Sequence, residues 1–441
     1  MDAACCMPRV TRKVGACEAL GNQPCLNILV KGVSSVMFFG GIDIAKHKHE
    51  VCIINEEGDT VLNICIENKQ KGLEKLLSNL QRLGIEADNC KLCLEATGHY
   101  WFSLYYHLTE LGYEVHVINP IQSHAIRNFY IRKTKTDLKD AFMLADMVRF
   151  GRLPDSELAS EAVMKLQTLS RHRFDLVQSV GSLKNKVLAI LDRVFPEYPE
   201  MFSNVFINSS KKLLQEFSSP EELAEADLSE LTAFLNEHSR GRFGTDKAQQ
   251  VKDLAKGTFG INLAGDAYAL ELKLLMEQIE FIEDQINTIE EAIDQVMEEF
   301  RPSEDTAYRH VLETVPGIGP VLAAAIIGEV GDIKRFKNAK AFVAYAGLDA
   351  SVYASGEFEG SKAKMSKRGS PVLRHSLWMA AVAARRFNPE LKDFYEKKKQ
   401  EGKHSNVATG AVARKLVHMI YSLWKNNRPY QSNYKWSPAN N

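Results

Sequence analysis

The stretch TKTDLKDA places Asp137 and Asp140 three residues apart, with Lys133, Lys135 and Lys139 around them. At helical spacing the two aspartates project from one face. Two more acids stand in apolar surroundings, Asp43 in GGIDIAK and Glu95 at the end of KLCLE. A carboxylate buried without a counter-charge is costly, and a cluster of four cannot stay ionised at neutral pH without cations. Hard oxygen ligands suit Mg²⁺, which keeps coordination sites for water and phosphate, and a pair of ions can clamp both oxygens of an in-line phosphoryl displacement. Arg127, Arg132, Lys133 and Lys135 would then face a nucleic-acid backbone. Taken singly, each acid serves as well as a cap, a turn residue or a surface charge, Asp137 above all as a first-turn acid. Their order and placement together favour the metal.

These acids need a scaffold that gathers them. MFFGGIDIA and EVCIINEEGDTVLNICIE read as three strands in a meander, with a turn at Glu57-Gly58-Asp59. An amphipathic helix (Leu73, Leu76, Leu77, Leu80), a buried strand KLCLEA, a helix near Tyr100–Leu111, a strand YEVHVIN and a helix from about Thr136 follow. Three antiparallel strands followed by helix–strand units predict an α/β domain with a mixed sheet of ribonuclease H-like order. There the first and fourth strands are neighbours and the last helix packs its first turn against them, so all four acids converge.

Residues 156–300 read as almost wholly helical. Leu272, Leu275, Ile279, Ile282, Ile286, Ile289, Ile293, Val296 and Phe300 alternate spacings of three and four, a heptad seam that fits either self-association or a hairpin within one chain. TVPGIGPVLAAAIIGEVGDIKRF then offers two apolar helical stretches around a Gly-Ile-Gly turn, a helix-hairpin-helix-like pattern. Backbone N–H groups near Gly317 and Gly319 could meet phosphate there, or the turn could simply pack.

Residues 361–441 carry 17 Lys and Arg against 4 Asp and Glu, although the whole chain is formally at −1. Apolar residues at helical spacing (Val412, Leu416, Ile420, Leu423) interleave with that charge, which implies a folded basic surface suited to a polyphosphate partner. With 45% hydrophobic residues and no apolar run of spanning length, a membrane role is not expected. All eight cysteines lie at or before Cys93, which is no disulfide framework and fits a reducing cytoplasm. Cys90 and Cys93 fall three apart on a strand, facing opposite ways, which argues against a metal knuckle. The first 36 residues lack a signal core and periodicity, and are expected to be a disordered extension.

GIDIAK, CLEATGHYW, VINP, KTDLKDA, PGIGP, FVAYAGL, SG and SKRGSPVLR, in this order, resemble transposases of the IS110/IS1111 group over about residues 38–425. The resemblance implies a RuvC-like catalytic domain over 37–155 whose four acids map to Asp43, Glu95, Asp137 and Asp140. It implies a coiled-coil region over 156–300 that joins copies as a dimer or tetramer, and a C-terminal domain over 301–428 with a nucleophilic serine, followed by a tail over 429–441. A structured guide RNA recognising donor and target DNA, and a cytoplasmic, nucleoid-associated place in a prokaryote, come with it. The serine maps to Ser355, with Ser351, Ser361, Ser366 and Ser370 nearby. Ala350 and Ala354 depart from the proline and the larger polar residue usual there, so the loop's rigidity differs. Attack by serine would keep the phosphodiester bond energy as a phosphoserine ester, so strands could be exchanged rather than digested. Lys362, Lys364, Lys367, Arg368 and Arg374 are candidate phosphate contacts. The rival readings are a RuvC-like Mg²⁺-dependent nuclease or junction resolvase acting by hydrolysis, an actin-like ATPase, and a non-catalytic nucleic-acid scaffold.

Overall fold

The computed structural model describes residues 36–118, 137–151, 159–349, 354–355, 358–359 and 365–432, with backbone alone for 137, 354, 355, 358 and 359. The expected N-terminal extension lies outside these residues but for Val36. The chain divides into two compact units, residues 1–158 and 159–441.

In the first unit, β1 (Phe38–Ile44), β2 (Lys48–Ile54) and β3 (Thr60–Glu67) form the antiparallel meander. Its β2–β3 turn is closed by Gly58 at φ +93 and by the Asn55 side chain, which accepts the Asp59 N–H at 2.7 Å. Helix α1 (Gln70–Arg82) leads to β4 (Cys90–Glu95), and α2 (Phe102–Glu110) to β5 (Glu114–Ile118). β4 and β5 join in parallel, giving the order β3-β2-β1-β4-β5, which fits a ribonuclease H-like fold. Helix α3 (Asp137–Arg149) follows. β1 is thus central and covered on both sides, which explains its nearly unbroken apolar run. Ile42 and Ile44 face Leu76 and Leu80 of α1 and Leu104 and Leu108 of α2, whereas Phe39 faces Leu144 and Val148 of α3.

The second unit is mostly helical. Two 34-residue helices, α4 (Glu161–Val194) and α10 (Gly265–Glu298), run antiparallel, tied by Arg173–Glu290 at 2.7 Å and Lys184–Glu283 at 2.9 Å. Between them come α5 (Tyr198–Met201), α6 (Asn208–Glu216), α7 (Pro220–Glu225), α8 (Leu228–His238) and α9 (Thr245–Lys256). The apolar seam of α10 is filled within the chain. Leu272, Leu275, Ile279 and Ile282 pack with Val187, Leu191 and the small helices, and Ile293 and Met297 pack with Val163, Leu166 and the C-terminal helices. One hairpin therefore carries a separate core at each end.

The rest consists of α11 (Pro320–Val330), α12 (Ala339–Tyr345), the two-residue strands β6 (Ala354–Ser355) and β7 (Phe358–Glu359), α13 (Pro371–Phe387), α14 (Pro389–Gln400) and α15 (Ser405–Lys425). The Gly-Ile-Gly turn is flanked by a short 3₁₀ turn (Val311–Thr314) and by α11, so its first arm is shorter than the sequence pattern suggests. Glu329, its side chain 1% exposed, pairs with Arg171 at 2.6 Å and pins α11 to α4. Among the described residues no helix is long and apolar enough to cross a membrane.

Candidate active site

β1 and β4 run parallel with Ile42 level with Leu94, so Asp43 and Glu95 are the next residues along two adjacent strands. Both belong to the face that carries α3. Gly41, two residues before Asp43, meets α3 directly, since a Cβ there would lie 1.9 Å from the Ala141 carbonyl oxygen. Cys93, two residues before Glu95, packs against Leu144, Met147 and Val148 of the same helix.

The direction of α3 decides which of its ends meets the acids. Its last residue, Arg149, donates through Nη1 to the Glu56 carbonyl at 3.2 Å and through Nη2 to Asp146 at 2.8 Å. Glu56 lies just beyond Ile54, which pairs with Phe39 at the start of β1. The C-terminal end of α3 is therefore fixed at the beginning of β1. Its first turn, with Asp137 and the buried Asp140, comes down at the other end, where Asp43 and Glu95 stand. Three elements thus bring Asp43, Glu95 and Asp140 to one end of one sheet face, with the Asp137 backbone in the same first turn of α3. Glu95 also accepts from Thr97 Oγ1 at 3.5 Å, at the turn that follows β4. Among the described residues no three His, Cys, Asp or Glu side chains stand as a ready metal-binding group, and the Asp137 side chain lies outside that description.

Sequence reasoning missed two features here. Asp146 is an acid on the same helix, spent on holding Arg149, and only the i, i+3 spacing hinted at that pair. Gly41 is where the helix rests on the sheet, and nothing in GGIDI says which of its glycines does this.

In the second unit Ser355 is the last residue of β6. It pairs antiparallel with Phe358 of β7, as Ala354 does with Glu359. Of the other serines, Ser366 bonds Asp349 through its hydroxyl, and Ser370 caps α13 by accepting the Leu373 N–H at 3.2 Å. Both therefore have structural occupations, while Ser351 and Ser361 lie outside the described residues, as do Arg127, Arg132, Lys133, Lys135, Lys362 and Lys364. Lys367 and Arg368 are exposed and Arg374 is half-buried. Gly317, at φ +103, is pressed against α13, where a Cβ would lie 2.5 Å from the Ala384 nitrogen, so packing accounts for this glycine. Gly319 caps α11 with open space beside it. His375 stacks edge-on on Phe174 at 5.1 Å, and burial together with Arg173 holds its pKa down. Cys90 and Cys93 belong to cores on opposite faces of the sheet, and burial pushes both thiols up to about 12.

Residues 40–196 match the family model of the IS110 DEDD transposase domain, and residues 309–396 match that of the IS116/IS110/IS902 transposases. The chain is 25% identical to an uncharacterized 44.8 kDa protein of insertion element IS116 from Streptomyces clavuligerus, over 88% of this chain and 94% of that protein. It is 24% identical to the mini-circle putative transposase for IS117 from Streptomyces coelicolor, over 92% of this chain and 98% of the relative. A pilin gene-inverting protein from Moraxella lacunata is 24% identical over 88% and 96%. With both matched regions in place and relatives aligned over almost their whole length, the chain belongs to the IS110 family of transposases.

Proposed function

We propose that this transposase exchanges DNA strands through a covalent phosphoserine, with Asp43, Glu95, Asp137 and Asp140 holding Mg²⁺, Ser355 as nucleophile and a structured RNA choosing donor and target DNA. The observation that carries the reading is the meeting of Asp43, Glu95 and the first turn of α3 at one end of one sheet face. The donor set is all carboxylate oxygen, which suits a small hard cation. Mg²⁺ bound there would neutralise phosphate charge and ease ionisation of a hydroxyl.

Ser355 Oγ attacks phosphorus and forms the new ester bond. The bond to the departing strand breaks, and the serine proton ends on that strand's hydroxyl. A DNA hydroxyl from the second partner then attacks the phosphoserine, the Oγ–P bond breaks, and the incoming hydroxyl's proton returns to the serine. Each step replaces one P–O bond with another, so no nucleotide triphosphate is needed. Lys367, Arg368 and Arg374, with the cations around residues 127–135 and 362–364, would bind the strands' phosphates, and the Gly319 end of α11 offers backbone N–H groups to them. Copies of the chain associate in this reading. The stripe Leu270, Leu274 and Phe281, each more than half exposed on α10 after its seam is filled, is available for that contact.

The test is a denaturing gel of the protein with Mg²⁺, the element's RNA and labelled element-end DNA. A covalent protein–DNA band that Ser355→Ala removes and Glu95→Gln weakens is expected. Undiminished cleavage by Ser355→Ala with no such band would instead favour the second reading, hydrolysis by a RuvC-like nuclease, which needs only the carboxylate face.

A further inference from the structure

In the second unit an open groove of about 720 Å³ lies between α4, α13, α15 and the loop that precedes α13. We propose that it holds one unpaired nucleotide of a single strand, its base on Trp378 and its phosphates on Lys367, Arg374 and Arg414. This rests on the reading that the C-terminal domain meets nucleic acid, and goes beyond it in naming a base-stacking site.

The first support is the open space beside Trp378, which lines the groove. Trp378 is only partly buried, and α15 passes it at Gly410, where an added Cβ would sit 3.7 Å from indole Cζ3 and 3.8 Å from the Met365 methyl. A larger residue at 410 would fill the space beside the indole. Gly410 lies in mid-helix, where glycine is unfavourable by roughly 1 kcal/mol against alanine, so a conformational reason for it is lacking.

The second support is the rim. Arg374 donates to the Lys367 carbonyl at 3.0 Å and Arg414 to the Leu348 carbonyl at 2.8 Å, so each guanidinium is aimed by one backbone oxygen and keeps further donors. Among the described residues no carboxylate pairs with Lys367, Arg374 or Arg414.

The third is the backbone of the loop. Lys367 has φ +54, a conformation uncommon for a residue with a side chain, and it is held there by its neighbours. Its N–H donates to the Gly347 carbonyl at 3.2 Å, and Ser366 N–H donates to Asp349 O at 2.9 Å. Gly347 and Gly369 let the two loops touch backbone to backbone, since a Cβ on either would come within 2.0 Å of a carbonyl oxygen. A cation carried on a held backbone, beside a partly exposed indole in the same groove, suits a base with its own phosphate. A base still paired in a duplex cannot reach an aromatic face in this way.

The test is fluorescence anisotropy of the full chain with labelled twelve-nucleotide DNA and RNA single strands and a DNA duplex of the same sequence. Trp378→Ala should weaken binding of at least one single strand by roughly 5- to 150-fold and leave the duplex unchanged, while Trp378→Phe restores most of the affinity. Gly410→Leu should have the effect of Trp378→Ala, and Gly410→Ala should not. The DNA and RNA arms show which kind of strand the groove takes. Single-strand affinities unmoved by both Trp378→Ala and Gly410→Leu would overturn this proposal alone. A chain that binds no nucleic acid in any arm would overturn the functional reading with it.

Discussion

Replacing Gly41 by alanine should lift α3 from β1 and carry Asp140 away from Asp43 and Glu95. The added Cβ would lie 1.9 Å from the Ala141 carbonyl oxygen and 2.4 Å from the Ala145 nitrogen, helix backbone atoms that cannot swing aside. In a close-packed interior, relief requires the helix to retreat by about 1 Å. Overpacking of this kind costs about 1–3 kcal/mol of stability. Metal–ligand distances tolerate only about 0.2 Å, and a misplacement of about 1 Å can cost about 100-fold in rate. The assay is Mg²⁺ titration of strand cleavage beside a thermal melt. We expect a raised Mg²⁺ requirement and about a 100-fold slower rate in a protein that still folds. Gly40→Ala is the control, because its Cβ would meet Leu92 Cδ2 at 2.4 Å and Ile53 Cδ1 at 2.6 Å, side-chain ends that can move. It should cost stability with little loss of rate. Wild-type Mg²⁺ dependence in Gly41→Ala, or an equal loss in Gly40→Ala at matched stability, would refute the reasoning.

Two further predictions concern the second unit. Burial holds the His310 pKa down at about 4, with Trp424 edge-on at 5.0 Å and Nδ1 accepting the Leu312 N–H at 3.3 Å. The unfolded state binds this proton more readily, so stability should fall as pH drops below about 6.5, by about 2 kcal/mol between pH 7 and pH 5. His310→Asn keeps an acceptor without titrating; its urea midpoints at the two pH values should differ by less than those of the wild type, and equal differences would sink the assignment. Arg171→Met should destabilise by about 3 kcal/mol, because it strands the buried Glu329 carboxylate, whereas Arg171→Met with Glu329→Leu should recover much of the loss in the same denaturant titration.

The sheet was legible because its signals are local. Alternation and turn residues mark β1 to β3, and the apolar runs of β4 and β5 are separated by helices of clear period. That Asp43 and Glu95 stand side by side followed from strand order alone. What fills the α10 seam was not legible, since its apolar face would suit a second copy as well as α4, and α4 has no comparably regular seam to announce itself. The contact at Gly41 and the anchoring of Arg149 on the Glu56 carbonyl depend on where a helix lands on a sheet, which is a matter of distant packing. The groove over Trp378 was equally hidden, because Gly410 and Trp378 are 32 positions apart and neither belongs to a recognisable motif.

The paired helices α4 and α10 also have a mechanical consequence. Each is about 51 Å long, and with a hydrophobic core clasped to either end the pair behaves as a stiff rod rather than a tether. A tilt of about 10° at one core would sweep the other through about 9 Å. Whatever seizes the small helical cluster at the far end could therefore reposition the basic C-terminal helices without touching them.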